Sequence, residues 1–176
     1  MKVVKASHKD LPYILPIYEE ARAFMRENGN PDQWGNKRPE KREFEEYIDR
    51  GELYLLVEDD RDGKVDSDCH KIAGVFGLVE GDVPQYEKIW DYKEKKGAWI
   101  NDLPYISLHI LAGRRGKKGA FKEMLAYAFS VGNNLKIDTH EKNLPMRNAL
   151  KKHGFSLCGV IKVLDGTDRL AYQKKI

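Results

Sequence analysis

A mixed α/β fold, in which a mostly antiparallel sheet of about seven strands is flanked by about four helices, is predicted by three features of the 176-residue chain. Short β-rich runs outnumber the helical ones. Two pairs of runs read as hairpins, Leu53 to Val57 with Ile72 to Val79, and Phe155 to Val163 with Arg169 to Gln173. No repeat, low-complexity tract or interdomain linker interrupts the pattern, so residues 1–176 are expected to form a single domain.

Lys2 to Ala6 alternates as a strand, and Ser7 and Asp10 signal a helix cap. From Leu11 to Arg26, Ile14, Ile17, Ala21, Phe24 and Met25 recur at helical spacing. Pro12 suits a first turn, whereas Pro16 is expected to kink or reset the helix. Asn28-Gly29-Asn30-Pro31 ends it, and a polar loop around Gln33 and Trp34 follows. Pro39 opens a second helix with Phe44, Tyr47 and Ile48 on one face, closing at Gly51. The first hairpin is joined by a polar connection, Asp59 to His70, which contains Asp62-Gly63. Gly81 to Asp102 is an irregular insert carrying Tyr86, Trp90, Tyr92 and Trp99. Tyr105 to Ala112 is the next strand, Phe121 to Val131 a helix and Leu135 to Thr139 a short strand. Asn143 caps a helix that Gly154 ends, and the second hairpin turns at Leu164-Asp165-Gly166-Thr167.

The composition narrows the function. Lys plus Arg is 31 against Asp plus Glu 28, a balance too even to predict nucleic acid or an anionic membrane as partner. The basic residues are not interleaved with aromatics as an RNA platform requires. Cys69 and Cys158 lie in no paired motif with metal-site spacing, so free thiols and no metal are expected. The first ten residues lack an apolar h-region and no stretch approaches 18 apolar residues, which reads as a cytoplasmic protein.

The most informative stretch runs strand, then Gly113-Arg114-Arg115-Gly116-Lys117-Lys118-Gly119-Ala120, then helix. A glycine-bearing turn lets backbone N–H groups converge, and the helix N-terminus behind it adds roughly half a positive charge. Such a loop suits a pyrophosphate; an ordinary basic turn is the other reading. A P-loop is excluded because no GK[ST] ending supplies a hydroxyl for magnesium, and a dinucleotide fold because GxGxxG is missing.

The segment from Ser107 to Phe155 resembles the core of the GNAT acetyltransferases. Arg115-Gly116-Lys117-Lys118-Gly119-Ala120 is similar to that family's R/Q-x-x-G-x-G/A loop, and Asn143-Leu144-Pro145-Met146 with His153-Gly154-Phe155 to its second signature. IDTHEKNLPM, HGFSLCGVI and DGTDRLAY also look like a group of bacterial GNAT proteins. The resemblance implies acetyl-CoA as cosubstrate, held by Leu111, Gly113, Arg115, Gly116, Lys117, Lys118, Gly119, Ala120 and Asn143. It implies an N-acetyltransferase acting on a small-molecule or peptide amine, with a homodimer allowed. A non-catalytic acyl-CoA-binding protein on the same fold is the alternative. Lys118 departs from the pattern, standing where the family's first glycine usually is. Its side chain either obstructs the pyrophosphate or supplies a charge to it.

Amine acetylation needs a neutral amine, a route for its proton and stabilisation of the developing oxyanion. Ser107-Leu108-His109-Ile110-Leu111-Ala112 is similar to the His-Leu-His-Ala-Leu-Ala row of arylalkylamine N-acetyltransferases, which implies His109 as the base. A core histidine bonded to backbone is the bland counterpart. Relatives place a tyrosine acid on the last helix, where this chain has Leu150; either Tyr172, Tyr105 or Cys158 substitutes, or the thiolate leaves unassisted. Gln33, Trp34, Trp99 and His140 are expected at the acceptor site, against a structural role for each.

Overall fold

The computed structural model describes residues 1–58 and 71–176. Its strands are β1 (Lys2–Lys5), β2 (Leu53–Val57), β3 (Ile72–Glu80), β4 (Ile106–Gly113), β5 (Asn134–Thr139), β6 (Ser156–Lys162) and β7 (Asp168–Lys175). The helices are α1 (Leu11–Glu27), α2 (Lys41–Asp49), α3 (Ala120–Val131) and α4 (Leu144–Lys152). Every predicted element is present, displaced at its ends by a residue or two. Cys69 and the Asp62-Gly63 turn lie outside the described residues.

The strands form one sheet in the order β1-β2-β3-β4-β5-β7-β6. All neighbours are antiparallel except β4 and β5, whose parallel pairing requires the crossover that α3 supplies. That pairing is short: Ile106, Ser107 and Leu108 oppose Leu135, Lys136 and Ile137, after which the strands part. Just there β4 also bulges against β3. Gly77 faces His109 and Val75 faces Ala112, so Ile110 and Leu111 share the place opposite Phe76. Ile110 takes φ +44°, a left-handed conformation costly for a β-branched residue, and the buried Tyr18 hydroxyl donates to its carbonyl.

Alternation sorts the apolar residues to two faces. Leu56, Phe76, Leu78, Leu108, Leu135, Ile137 and Tyr172 pack under α3 and α4 with Met124, Leu125, Ala128 and Leu150. On the opposite face α1 and α2 cover β1 to β4 through Ile14, Ile17, Tyr18 and Phe44, which meet Leu53, Leu55 and Val75. The insert covers the remainder of that face, with Val83 and Tyr86 against Ile161 and Ala171. A polar row fastens the insert: Gln173 donates to Asn134 Oδ1 at 2.9 Å and accepts from the Ile100 N–H at 2.7 Å.

Of the two expectations for Pro16, a kink or a reset, the reset does not occur; the helix runs unbroken from Leu11 to Glu27. One i to i−4 bond is lost, and the fully buried Ile14, Ile17 and Tyr18 on the same helix offset it. Among the described residues no helix is long and apolar enough to cross a membrane.

Candidate active site

The parting of β4 from β5 leaves a wedge, and backbone groups of β4 beyond Leu108 face it rather than a strand. Two cavities open there. One of about 680 Å³ runs between α1, the β4–α3 loop, α3 and α4. The other, of about 300 Å³, lies on the α1/α2 face between the two helices and the insert. Met25, Leu111, Asn143 and Met146 line both, so the cavities meet at the β4 bulge.

The larger cavity is floored by the glycine loop. Gly116 (φ +83°) and Gly119 (φ +84°) both adopt the left-handed conformation ahead of α3, and the Lys117 N–H closes the turn onto the Arg114 carbonyl at 3.1 Å. Gly119 is also the N-cap residue of α3, so the positive end of that helix faces the same space. Leu111, Gly113, Arg115, Gly116, Lys117, Gly119, Ala120 and Asn143 all line this cavity. Lys118 is exposed and is not on its wall. Because the turn takes its left-handed residues at 116 and 119, position 118 has an ordinary φ and tolerates a side chain directed to solvent.

Carboxylates already answer the loop's charge. Arg115 forms a double hydrogen bond with Glu27 at 3.2 and 2.9 Å, and Lys117 binds Glu58 at 2.7 Å. Glu20 of α1 accepts the backbone N–H of Arg115 at 3.3 Å, a polar contact inside the cavity. Asn143 accepts from the Met146 N–H at 3.2 Å as cap of α4, and its amide nitrogen donates to Gln33 Oε1 at 2.9 Å.

His109, Ile110, Tyr47, Gln33, Trp34, Asp138 and Arg169 line the smaller cavity. The bulge turns His109 and Ile110 to the same face. The imidazole is half-buried, and its Nε2 is enclosed with no hydrogen-bond partner among the described residues. Burial pushes the His109 pKa below the ordinary histidine value, with Asp138 and Glu52 opposing the shift. Its ring stacks on Tyr86, centroids 6.0 Å apart, and the Tyr86 hydroxyl donates to Asp138 Oδ2 at 2.8 Å. Tyr47 packs over Gly77, where an added Cβ would meet the ring at 2.9 Å, and burial pushes its phenol up to about 12. It is the one tyrosine among the described residues that line either cavity.

Gln33 and Trp34 line the smaller cavity, although the Gln33 carbonyl oxygen of the side chain is engaged by Asn143 and Asn30. Trp99 and His140 do not line either cavity. Trp99 lies under the insert, donating to the Tyr86 carbonyl at 2.9 Å and stacking under the Lys136 ammonium at 4.2 Å. His140 faces the strand–helix turn, where its Nδ1 accepts from the Lys142 N–H at 3.2 Å. Leu150 is buried in the core, and Tyr172, Tyr105 and Cys158 line neither cavity.

No protein-family model matches the sequence, and none of the curated proteins does. Solved structures are similar over the full chain. An acetyltransferase of the GNAT family from Streptococcus agalactiae 2603 shares 25% identity at a TM-score of 0.78, over 99% of this chain and 95% of that one. One from Listeria monocytogenes 4b F2365 gives 20% and 0.63, over 99% and 94%. A chain of the NatC complex bound to Gag peptide and CoA gives 11% and 0.58, over 100% and 99%. The fold is that of the GNAT acetyltransferases.

The splayed β4–β5 wedge, the bulge and the glycine loop border the same two cavities. Sequence reasoning missed Tyr47 and Arg169 as cavity residues. Tyr47 reads from helical spacing as a packing residue. Asp138 and Arg169 come together only through the β5–β7 register, which no local pattern encodes.

Proposed function

We propose that the protein is an acetyl-CoA-dependent N-acetyltransferase whose acceptor amine binds in the smaller cavity. The observation that carries this reading is the meeting of two unlike cavities at the β4 bulge. One is the larger and ends on the glycine loop and the N-terminus of α3; the other is small and lined by titratable side chains. Acetyl-CoA supplies the acyl group as a thioester. The Gly116–Gly119 turn and the α3 N-terminus hold its pyrophosphate, and the wedge holds its pantetheine arm, which pairs with the strand edge of β4.

His109 takes the proton that the amine loses. Its depressed pKa keeps it neutral, and so able to accept, at neutral pH. The nitrogen forms the new bond to the acyl carbon as the carbon–sulfur bond breaks, and the thiolate leaves with a proton. Tyr47 supplies that proton, since its raised pKa keeps the phenol protonated. The test is release of free CoA thiol from acetyl-CoA on addition of primary amines. Binding of acetyl-CoA with no thiol release across a broad amine panel overturns the catalytic reading in favour of a binding protein.

A further inference from the structure

Six charged side chains line the acceptor cavity, and four are paired. Arg38 bonds Glu43 at 3.0 Å, Glu46 bonds Arg42 at 3.0 Å, and Arg50 bonds Glu52 at 2.7 Å. Arg169 and Asp138 are the remaining two; neither makes an ion pair with any described residue. Arg169 is only 7% exposed. Its Nη1 donates to Thr167 Oγ1 at 2.8 Å and to the Asp168 carbonyl at 2.9 Å, and its Nη2 to the Gln33 carbonyl at 3.4 Å. Three neutral acceptors orient the guanidinium, and no carboxylate among the described residues lies within ion-pair distance of it, Asp138 and Asp165 acting on it only from farther off. A buried charge without a counter-ion is costly, and guanidinium geometry suits a carboxylate.

The register fixes the spacing of the two unpaired charges. Asp138 stands opposite Ala171 and Thr139 opposite Leu170, so Arg169 is the diagonal neighbour of Asp138 on the same sheet face. Such diagonals lie roughly 7–8 Å apart. Asp138 is itself held by the Tyr86 hydroxyl, beside the ring of His109. The cavity thus presents an anion next to the proton acceptor and a cation a few ångströms along. A cavity of about 300 Å³ sits at the small end of ligand sites.

Resting on the acetyltransferase reading, we infer that the acceptor is a free amino acid, its amine directed by Asp138 toward His109 and its carboxylate bound by Arg169. Asp138 and Arg169 are then the residues that determine specificity. A plain amine leaves Arg169 uncompensated, and a peptide N-terminus offers an amide where the carboxylate belongs.

Calorimetry with the twenty free L-amino acids, each beside its amide and methyl ester, tests this in the presence of saturating CoA. At least one free amino acid is expected to bind about thirtyfold or more tightly than its own amide and ester. Arg169→Met is expected to erase that preference with acetyl-CoA affinity unchanged, and Arg169→Lys to keep part of it. The amide comparison needs no variant, so a misfolded substitution does not spare the idea. Equal or tighter binding of amides, esters or an alanyl peptide overturns it, as does failure of every free amino acid to bind. The thiol-release assay is read separately. Thiol release with uncharged amines but no carboxylate preference overturns the inference alone. Selective amino-acid binding with no thiol release from any acceptor overturns the transferase reading instead.

Discussion

His109 stands at a point where burial and reactivity act in the same direction. An enclosed imidazole nitrogen with no partner is ordinarily a cost, yet it leaves a lone pair free for a proton. With the pKa depressed, the neutral form persists to lower pH than for an ordinary histidine near ~6.5. Activity should therefore be full at neutral pH and fall on acidification through an inflection below that value. His109→Gln should lower kcat/KM by about 10²–10⁴-fold and remove the acidic limb, with acetyl-CoA affinity unchanged. A pH profile identical to wild type would reduce His109 to packing. Tyr47→Phe probes the other proton. A loss in kcat of about 10²-fold with KM little changed is expected, whereas an unaltered kcat shows that the thiolate leaves unaided. His109 was singled out in the sequence through the likeness of its row to the His-Leu-His-Ala-Leu-Ala row of arylalkylamine N-acetyltransferases. Tyr47 was not, since the face of α2 it occupies is set by how closely Gly77 lets the helix approach β3.

The loop between β4 and α3 is the element whose chemistry was most readable. Glycines and basic residues ahead of a helix suit an anion and stand in consecutive positions, although an ordinary basic turn reads the same way. What the string could not show is that carboxylates from α1 and from the end of β2 already meet those charges. Glu20 holds an N–H that the proposed pyrophosphate needs, so Glu20→Gln should tighten acetyl-CoA by about two- to fivefold, more at low salt. Unchanged affinity would mean that the carboxylate moves aside freely. Lys118 points to solvent, so Lys118→Gly should weaken binding by no more than about fivefold, and by less at high salt. Gly119→Ala is different in kind. An added Cβ meets nothing within 4 Å, but φ +84° is strained for alanine. A loss of about 1–2 kcal/mol in denaturant unfolding is expected even without ligand.

Across the molecule, the hairpins, helices and element order were all legible, because each has its own periodicity and turn residues. The β4–β5 splay was not. It arises from a bulge and a three-residue pairing that only the assembled sheet defines. Acetyl-CoA at about 100 times its dissociation constant should add roughly 2.7 kcal/mol, a rise in Tm of roughly 5–10 °C for a domain of this size. No shift in a folded sample would remove the basis for the proposed activity. The short seam between β4 and β5 also bears on how the molecule opens. Within the sheet, β1 to β4 and β5 to β7 are joined by three residue pairs, with α3 as the thread, and are expected to open as two blocks. Amide exchange at Ile137 and its neighbours on β5 should then report a sub-global opening in the unliganded protein, cheaper than complete unfolding. A cosubstrate laid along that seam works as a stitch, and protection should rise first on the facing edges of the two blocks.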